Sequence, residues 1–312
     1  MMHFRYGDLL VTLALLIALP MVLPNAYWFD VTIRMGLAGI AVIGLNILMG
    51  FAGQLSIGHA ALIATSAYTS AILVARYGLP SALAVVIATA GVTLVSYGLA
   101  RPMLRLRGFA LAIGTLGLGI IVQIILVNEV AWTGGPDGMV VAPLQLGPWT
   151  ISGERQWYVL VAFLLFLAIV SSLNLFGSPA GRALRALNGS EIAAQVAGVD
   201  TSIMKIRAFT AAGFFAALAG ALTAHYSGFV TPDLSAFMRS VELATMVVVG
   251  GRGSTYGVVL AAVLLTMLPQ ALGGTGEYEM IVFGLIIMLT VIFLPQGIVP
   301  TLAAALRGKG AE

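Results

Sequence analysis

The hydrophobic positions fall into long, nearly unbroken runs rather than into alternating or heptad patterns. Apolar segments recur at Leu9 to Pro24, Ile33 to Gly50, Ile57 to Ala75, Ala82 to Leu99 and Phe109 to Val127. They continue at Trp157 to Phe176, Ala208 to Gly228, Phe237 to Val249, Tyr256 to Leu272 and Met280 to Gln296. Most reach the ~17–25 residues that a helix rising about 1.5 Å per residue needs to cross ~30 Å of hydrocarbon. A membrane barrel would show alternating segments of about ten residues instead. The pattern predicts an all-α polytopic membrane protein with about ten transmembrane helices, some interrupted by glycine.

Composition excludes a water-soluble alternative. Hydrophobic residues make up 60% of the 312 and charged residues only 9%, against roughly 45–50% and about 25% in a soluble domain. A soluble fold of this size cannot hide that much apolar surface. His3 and Arg5 before the first run resemble the start of a signal peptide, but no small-x-small cleavage site and soluble domain follow. A retained first span is expected.

Charge sets the expected orientation. With the N-terminus inside, ten spans place Arg5, Arg101, Arg105, Arg107, Arg182, Arg185, Lys205, Arg207, Arg252, Arg307 and Lys309 on the cytoplasmic side. Arg34, Arg76, Arg155 and Arg239 fall outside. The positive-inside rule then favours two cytoplasmic termini. Merging the short runs at Phe237 and Tyr256 into one span would break this parity. A transmembrane domain over residues 1–300 and a short cytoplasmic tail over 301–312 are expected. The net charge of +3 is spread along span ends rather than gathered into a field, which argues against nucleic-acid binding. Without cysteine, and with histidines only at 3, 59 and 225, no metal-ligand spacing exists.

Two segments between the spans are long enough to have structure. In Asn128 to Gln156, the Gly134, Gly135, Pro136, Asp137 and Gly138 run predicts turns, and Trp132, Trp149 and nearby Trp157 suit a membrane interface. It serves as an external connection or as a dock for an external partner. Residues 177–207 are too polar to span and too apolar for a loose linker. Short surface helices broken near Asn188 and Gly189 are expected, with Leu184, Leu187, Ile192, Val196 and Val199 as one packing face. Ser190 is placed as an N-cap, and Glu191 in the first turn suits the positive helix end. Arg182, Arg185, Lys205 and Arg207 would attract lipid phosphates or a partner's acidic surface, so a docking element and an interfacial helix both fit.

Candidate solute chemistry is sparse. Away from the ends of the spans almost no ionisable residues occur: His59 near the start of one, His225 near the end of another, and Glu242 in the short run, a thin supply for a proton relay. Polar, glycine-rich interruptions stand out instead: Gly50, Gly53, Gln54, Ser56, Gly58 and His59 in one, and Gly250, Gly251, Gly253 and Gly257 in the other. Gly50 and Gly53 match Gly250 and Gly253 in spacing, whereas Gly58 and Gly257 are one residue out of phase. Broken helices of this kind can offer backbone groups to a polar solute, and small residues can equally serve close helix packing. His59 either donates to a backbone carbonyl or touches solute; Thr115 either offers a hydroxyl or lies on a packed face. Gly-Arg-Gly-Ser at 251–254 lacks the lysine of a phosphate loop, and the chain has no G-x-x-x-x-G-K-[ST] motif.

The stretches GLNILMGFAGQLSIGHAA, TGGPDG, GRALRALNGSEIAAQVAGVD, VVVGGRGSTYG and FLPQGI resemble the LivM-type permease subunit of bacterial ABC importers for branched-chain amino acids. They occur in the family's order from about residue 36 to residue 298. The resemblance implies a non-catalytic inner-membrane subunit paired with a related permease subunit. It implies two cytoplasmic ATPase subunits that bind ATP and Mg, and a periplasmic solute-binding protein. Glu191, Ala193, Ala194 and Gly198 resemble the coupling loop of ABC permeases, although Ile192 separates Glu191 from the alanines. Related permeases carry urea or short amides, and a secondary carrier is the other class to weigh.

Overall fold

A computed structural model describes residues 6–103, 106, 108–271, 281, 284, 285, 288, 289, 297 and 301. The expected span at Met280 to Gln296, the tail over 301–312 and the cations Arg5, Arg105, Arg107, Arg307 and Lys309 lie largely or wholly outside the described residues. The helices are α1 (Tyr6–Val22), α2 (Ala26–Asn46), α3 (His59–Tyr77), α4 (Ser81–Met103), α5 (Phe109–Asn128) and α6 (Val130–Thr133). They continue with α7 (Glu154–Gly177), α8 (Pro179–Gly189), α9 (Glu191–Val196), α10 (Thr201–Ser227), α11 (Phe237–Gly250) and α12 (Thr255–Ala271).

Helix α2 is the axis of the bundle. A π-helical turn, Ile47–Phe51, extends it into a 26-residue element whose most apolar window is 83% buried, against 28% for α5 and α7. Helices α7, α10, α11 and α12 surround it, and α10 also packs on α3 and α4. The outer helices therefore keep apolar side chains such as Ile121, Ile124 and Phe163 exposed, as a lipid-facing surface requires. Close approach uses glycine: a Cβ at Gly220 of α10 would collide with the Ile63 carbonyl of α3.

Five of the described helices are long and apolar enough to cross a bilayer: Ala26–Phe51, Ser81–Met103, Phe109–Asn128, Glu154–Gly177 and Thr201–Ser227. The expectation of about ten full spans is corrected to that number for the described residues. Helices α1 and α12 are apolar but shorter. The runs at Ile57 and Phe237 form α3 and α11, neither of which is both long and apolar enough to join that set, and α3 begins inside the protein. His59, Ala60 and Ser240 are buried, and the Ala60 amide donates to Ser240 Oγ at 3.1 Å. The 14 residues of α11 cover only roughly 21 Å. Helices α11 and α12 remain separate, joined by a turn.

Segment 128–156 contains more than turns. Strands β1 (Met139–Val140), β2 (Leu144–Leu146), β3 (Trp149–Ile151) and β4 (Phe229–Val230) form two small antiparallel pairs. β1 joins β4 with Met139 opposite Val230, and β2 with β3 forms a hairpin. Thr133 Oγ1 donates to the Leu126 carbonyl at 2.7 Å and accepts from the Gly135 amide at 3.1 Å, which fixes the glycine-rich turn. Trp157 is buried, Trp132 lies beneath the Arg76 guanidinium at 4.4 Å, and Trp149 is exposed.

Candidate functional site

The two glycine-rich interruptions meet in space. In the π-helical turn the Ala52 amide reaches back to the Ile47 carbonyl at 3.2 Å, and the Gln54 amide reaches Leu48 at 3.0 Å. Such a turn widens the helix locally and often sits at functional positions. Asn46, fully buried one turn earlier, accepts from the Gly253 amide through Oδ1 at 2.9 Å. A Cβ at Gly50 would strike both Asn46 Oδ1 and the Gly253 nitrogen. From the other side Asn188, near the end of α8, donates through Nδ2 to the Gly50 carbonyl at 2.9 Å, and Gly53 lies against the same side chain. Gly250 packs on Gly257 across the turn between α11 and α12, and Gly297 packs on Gly251. Gly251 and Gly253 hold φ of +94° and +84°, a region that disfavours side chains. Gln54 is half-buried and donates to the Ala52 carbonyl at 3.1 Å.

Gly58, His59 and Thr115 form a second cluster. Thr115 Oγ1 accepts from the Ile57 amide at 3.0 Å and donates to the Ala112 carbonyl at 2.9 Å. Gly58 lies directly on the Thr115 carbonyl. The hydroxyl therefore anchors the irregular segment 52–58 to α5, which is the packing alternative for this residue. Ser56 and His59 are buried, and His59 Nε2 has no hydrogen-bond partner among the described residues. Asn46, Asn188 and Ser240 were not expected from the sequence as members of either cluster.

Residues 177–207 fold as two short helices. Ser178 accepts from the Gly181 amide with Pro179 in the first turn of α8, and Ser190 accepts from the Ala193 amide to start α9, as expected. The Val199 amide bonds the Ala194 carbonyl and the Gly198 amide bonds Gln195. With Gly198 at φ +82°, this is a Schellman ending that accounts for the glycine. The expected packing face is corrected. Leu184, Leu187 and Ala194 are buried, whereas Ile192 and Val196 are 73% and 85% exposed and Ala193 is exposed. The turn at Gly189 and Ser190 rotates α9 out of the phase set by α8.

The basic residues of this segment are partly engaged within the chain. Arg185 Nη1 donates to the Phe176 carbonyl at 2.7 Å and stacks on that ring at 4.1 Å, while Arg182 donates to Gly177 at 3.2 Å. Both cations thus satisfy the carbonyl end of α7. Lys205, 4% exposed, pairs with Glu191 Oε1 at 2.7 Å and ties α9 to α10. Among the described residues no cluster of His, Asp and Glu is placed to hold a metal.

A helical bundle of this kind, with interrupted inner helices and a capped pair of surface helices, defines a multi-pass membrane protein. The model of the family described as branched-chain amino acid transport system / permease component matches residues 27–291. The high-affinity branched-chain amino acid transport system permease protein LivM of Salmonella typhimurium is 35% identical over 294 residues, covering 86% of this chain and 69% of the relative. LivM of Escherichia coli is 35% identical over 291 residues, covering 86% and 68%. The LivH permease of Salmonella typhimurium is 24% identical over 287 residues, covering 83% and 90%. No solved structure matches the chain. The chain belongs to this permease family: it is a multi-pass inner-membrane transport subunit and not a catalytic one.

Proposed function

We propose that the chain is the LivM-type half of an ATP-driven importer of leucine, isoleucine and valine. Its partners in this reading are a related LivH-type permease, two cytoplasmic ATPase subunits that bind ATP and Mg, and a periplasmic solute-binding protein. The likeness to both LivM and LivH sequences supports the pairing of two related permeases. In this reading both termini are cytoplasmic, residues 1–300 form the transmembrane permease domain, and 177–207 form the coupling loop.

One observation carries the mechanism: the Asn188 side chain on α8 bonds the Gly50 carbonyl at the point where Gly253 bonds Asn46. Movement of α8 and α9 by an ATPase would therefore reach both glycine interruptions through two hydrogen bonds. The exposed Ile192, Ala193 and Val196 form the contact face, while buried Ala194 holds α9 to the bundle. Gly50, Gly53, Gly250, Gly251 and Gly253 act as the joint that opens and closes the solute path. Gln54, Ser56, Gly58, His59 and Thr115 shape the adjoining segment. The free-energy task is to bias two conformations by events at separate sites.

Uptake by the complete complex in proteoliposomes tests this reading, with leucine, valine, urea and short amides as solutes. ATP-dependent uptake of leucine and valine alone is expected. Uptake of urea or amides instead would reassign the substrate, and uptake without ATPase subunits would make the chain a secondary carrier.

A further inference from the structure

The glycine joint is closed, but the same helices border a cavity of about 220 Å³ farther along the bundle. Its polar wall comes from Arg34 of α2, Thr223 and Tyr226 of α10, and Arg239 and Glu242 of α11. Ala41, Leu243, Met246 and Leu265 supply the apolar wall. Helix α2 runs from Arg34 past Ala41 to Asn46, and α11 runs from Arg239 past Met246 to Gly250. The cavity and the joint therefore share two walls.

The charges are arranged in two incomplete pairs. Arg34 Nε donates to both Asp30 oxygens at 2.9 and 3.2 Å, and Tyr226 donates to Asp30 Oδ1 at 2.6 Å. Arg239 Nη1 donates to Glu242 Oε2 at 2.7 Å. Each guanidinium has five donors in a rigid fork, so further N–H groups remain on both arginines. The Arg34 and Arg239 side chains are each 50% exposed, and Glu242 is 23% exposed. Arg239 and Glu242 flank Ser240, which is buried against the start of α3. Both guanidinium groups and the Glu242 carboxylate thus line the cavity while remaining partly open to it.

Both signs of charge beside an aliphatic wall complement a zwitterion with an apolar side chain. We propose that this cavity binds a free aliphatic α-amino acid within this subunit. Arg239, with Arg34 toward the helix start, holds the α-carboxylate; Glu242 takes the ammonium group; the side chain lies against Ala41, Met246 and Leu265. The inference rests on the importer reading above and moves the binding role from the glycines to this cavity.

The chain has no cysteine, so one reporter thiol can be placed on the cavity wall as Ala38→Cys, with Thr266→Cys as a second reporter on α12. The complete complex in proteoliposomes is treated with a small maleimide, and alkylation of this chain is followed by mass spectrometry. L-leucine should slow alkylation several-fold, whereas isovalerate and isopentylamine, each lacking one charge, should not. Glu242→Gln should remove the protection by L-leucine. Unprotected alkylation of both reporters in a complex that still imports leucine overturns the inference and leaves the importer reading intact. Equal protection by all three compounds overturns it as well, because the cavity would then select only for apolar bulk. A complex that imports short amides but not leucine overturns the importer reading and the inference with it.

Discussion

The glycine joint and the charged cavity lie on the same two helices and are built in opposite ways. At the joint, Gly50, Gly53 and Gly253 meet the side chains or amides of Asn46 and Asn188 with no room for a Cβ at Gly50 or Gly53. In the cavity, guanidinium and carboxylate groups border open volume. Small residues here permit backbone to touch backbone, and charged residues border space. Glycine density therefore marks the part suited to move, while the scarce ionisable residues mark the part suited to bind.

The largest effect is expected where removing a partner strands a buried charge. Glu191→Ala leaves Lys205 buried without its carboxylate and should cost up to about 3 kcal/mol, the low end for broken buried pairs because Glu191 is partly exposed. Thermal unfolding in detergent checks it, and Glu191→Asp should recover part of the loss. Next comes Gly50→Ala, which forces the Asn46 amide and the Gly253 turn apart; overpacking of this kind costs roughly 1–3 kcal/mol. Gly253→Ala should be milder, since its Cβ has space and the penalty is the positive φ, about 1 kcal/mol. Equal loss of stability and uptake in the two variants would remove the distinction between crowding and conformation at the joint.

Smaller in stability but sharper in meaning is the comparison of Ala193→Trp with Ala194→Trp. Ala194 is buried within the chain, so tryptophan there should lower the unfolding temperature of the isolated permease. Ala193 is exposed, so its variant should fold normally and release the ATPase subunits on size exclusion. Retention of the ATPases by a folded Ala193→Trp complex would remove this face from the proposed contact. For sidedness, a thiol at Asn188→Cys should react only with membrane-permeant reagents in intact cells.

Much of the helix content was legible because apolar run length reports burial in lipid or protein directly. It overcounted at Ile57, where the run begins inside the bundle with the Ile57 and Ala60 amides satisfied by Thr115 and Ser240 from distant segments, and at Phe237, where the helix has only 14 residues. The Ser190 cap was legible because capping is local; the inward turn of Ala194 was not, because it depends on how α9 sits against α10. The matched spacing of the two glycine stretches was visible in the sequence; that they meet in space was not. Asn46 and Asn188, which join them, were hidden as unremarkable residues within otherwise apolar or amphipathic sequence. The cavity escaped notice because Arg34 and Arg239 read only as charges on the external side, and only packing shows that they face one volume.

The most direct measurement is the ratio of leucine imported to ATP hydrolysed by the reconstituted complex carrying Asn188→Ala. Losing one neutral hydrogen bond costs about 1 kcal/mol of stability, so the complex should assemble and hydrolyse ATP. If Asn188 carries motion from α8 to the Gly50 and Gly253 joint, the ratio should fall several-fold while the ATPases remain bound. An unchanged ratio in the assembled complex would contradict transmission through this side chain.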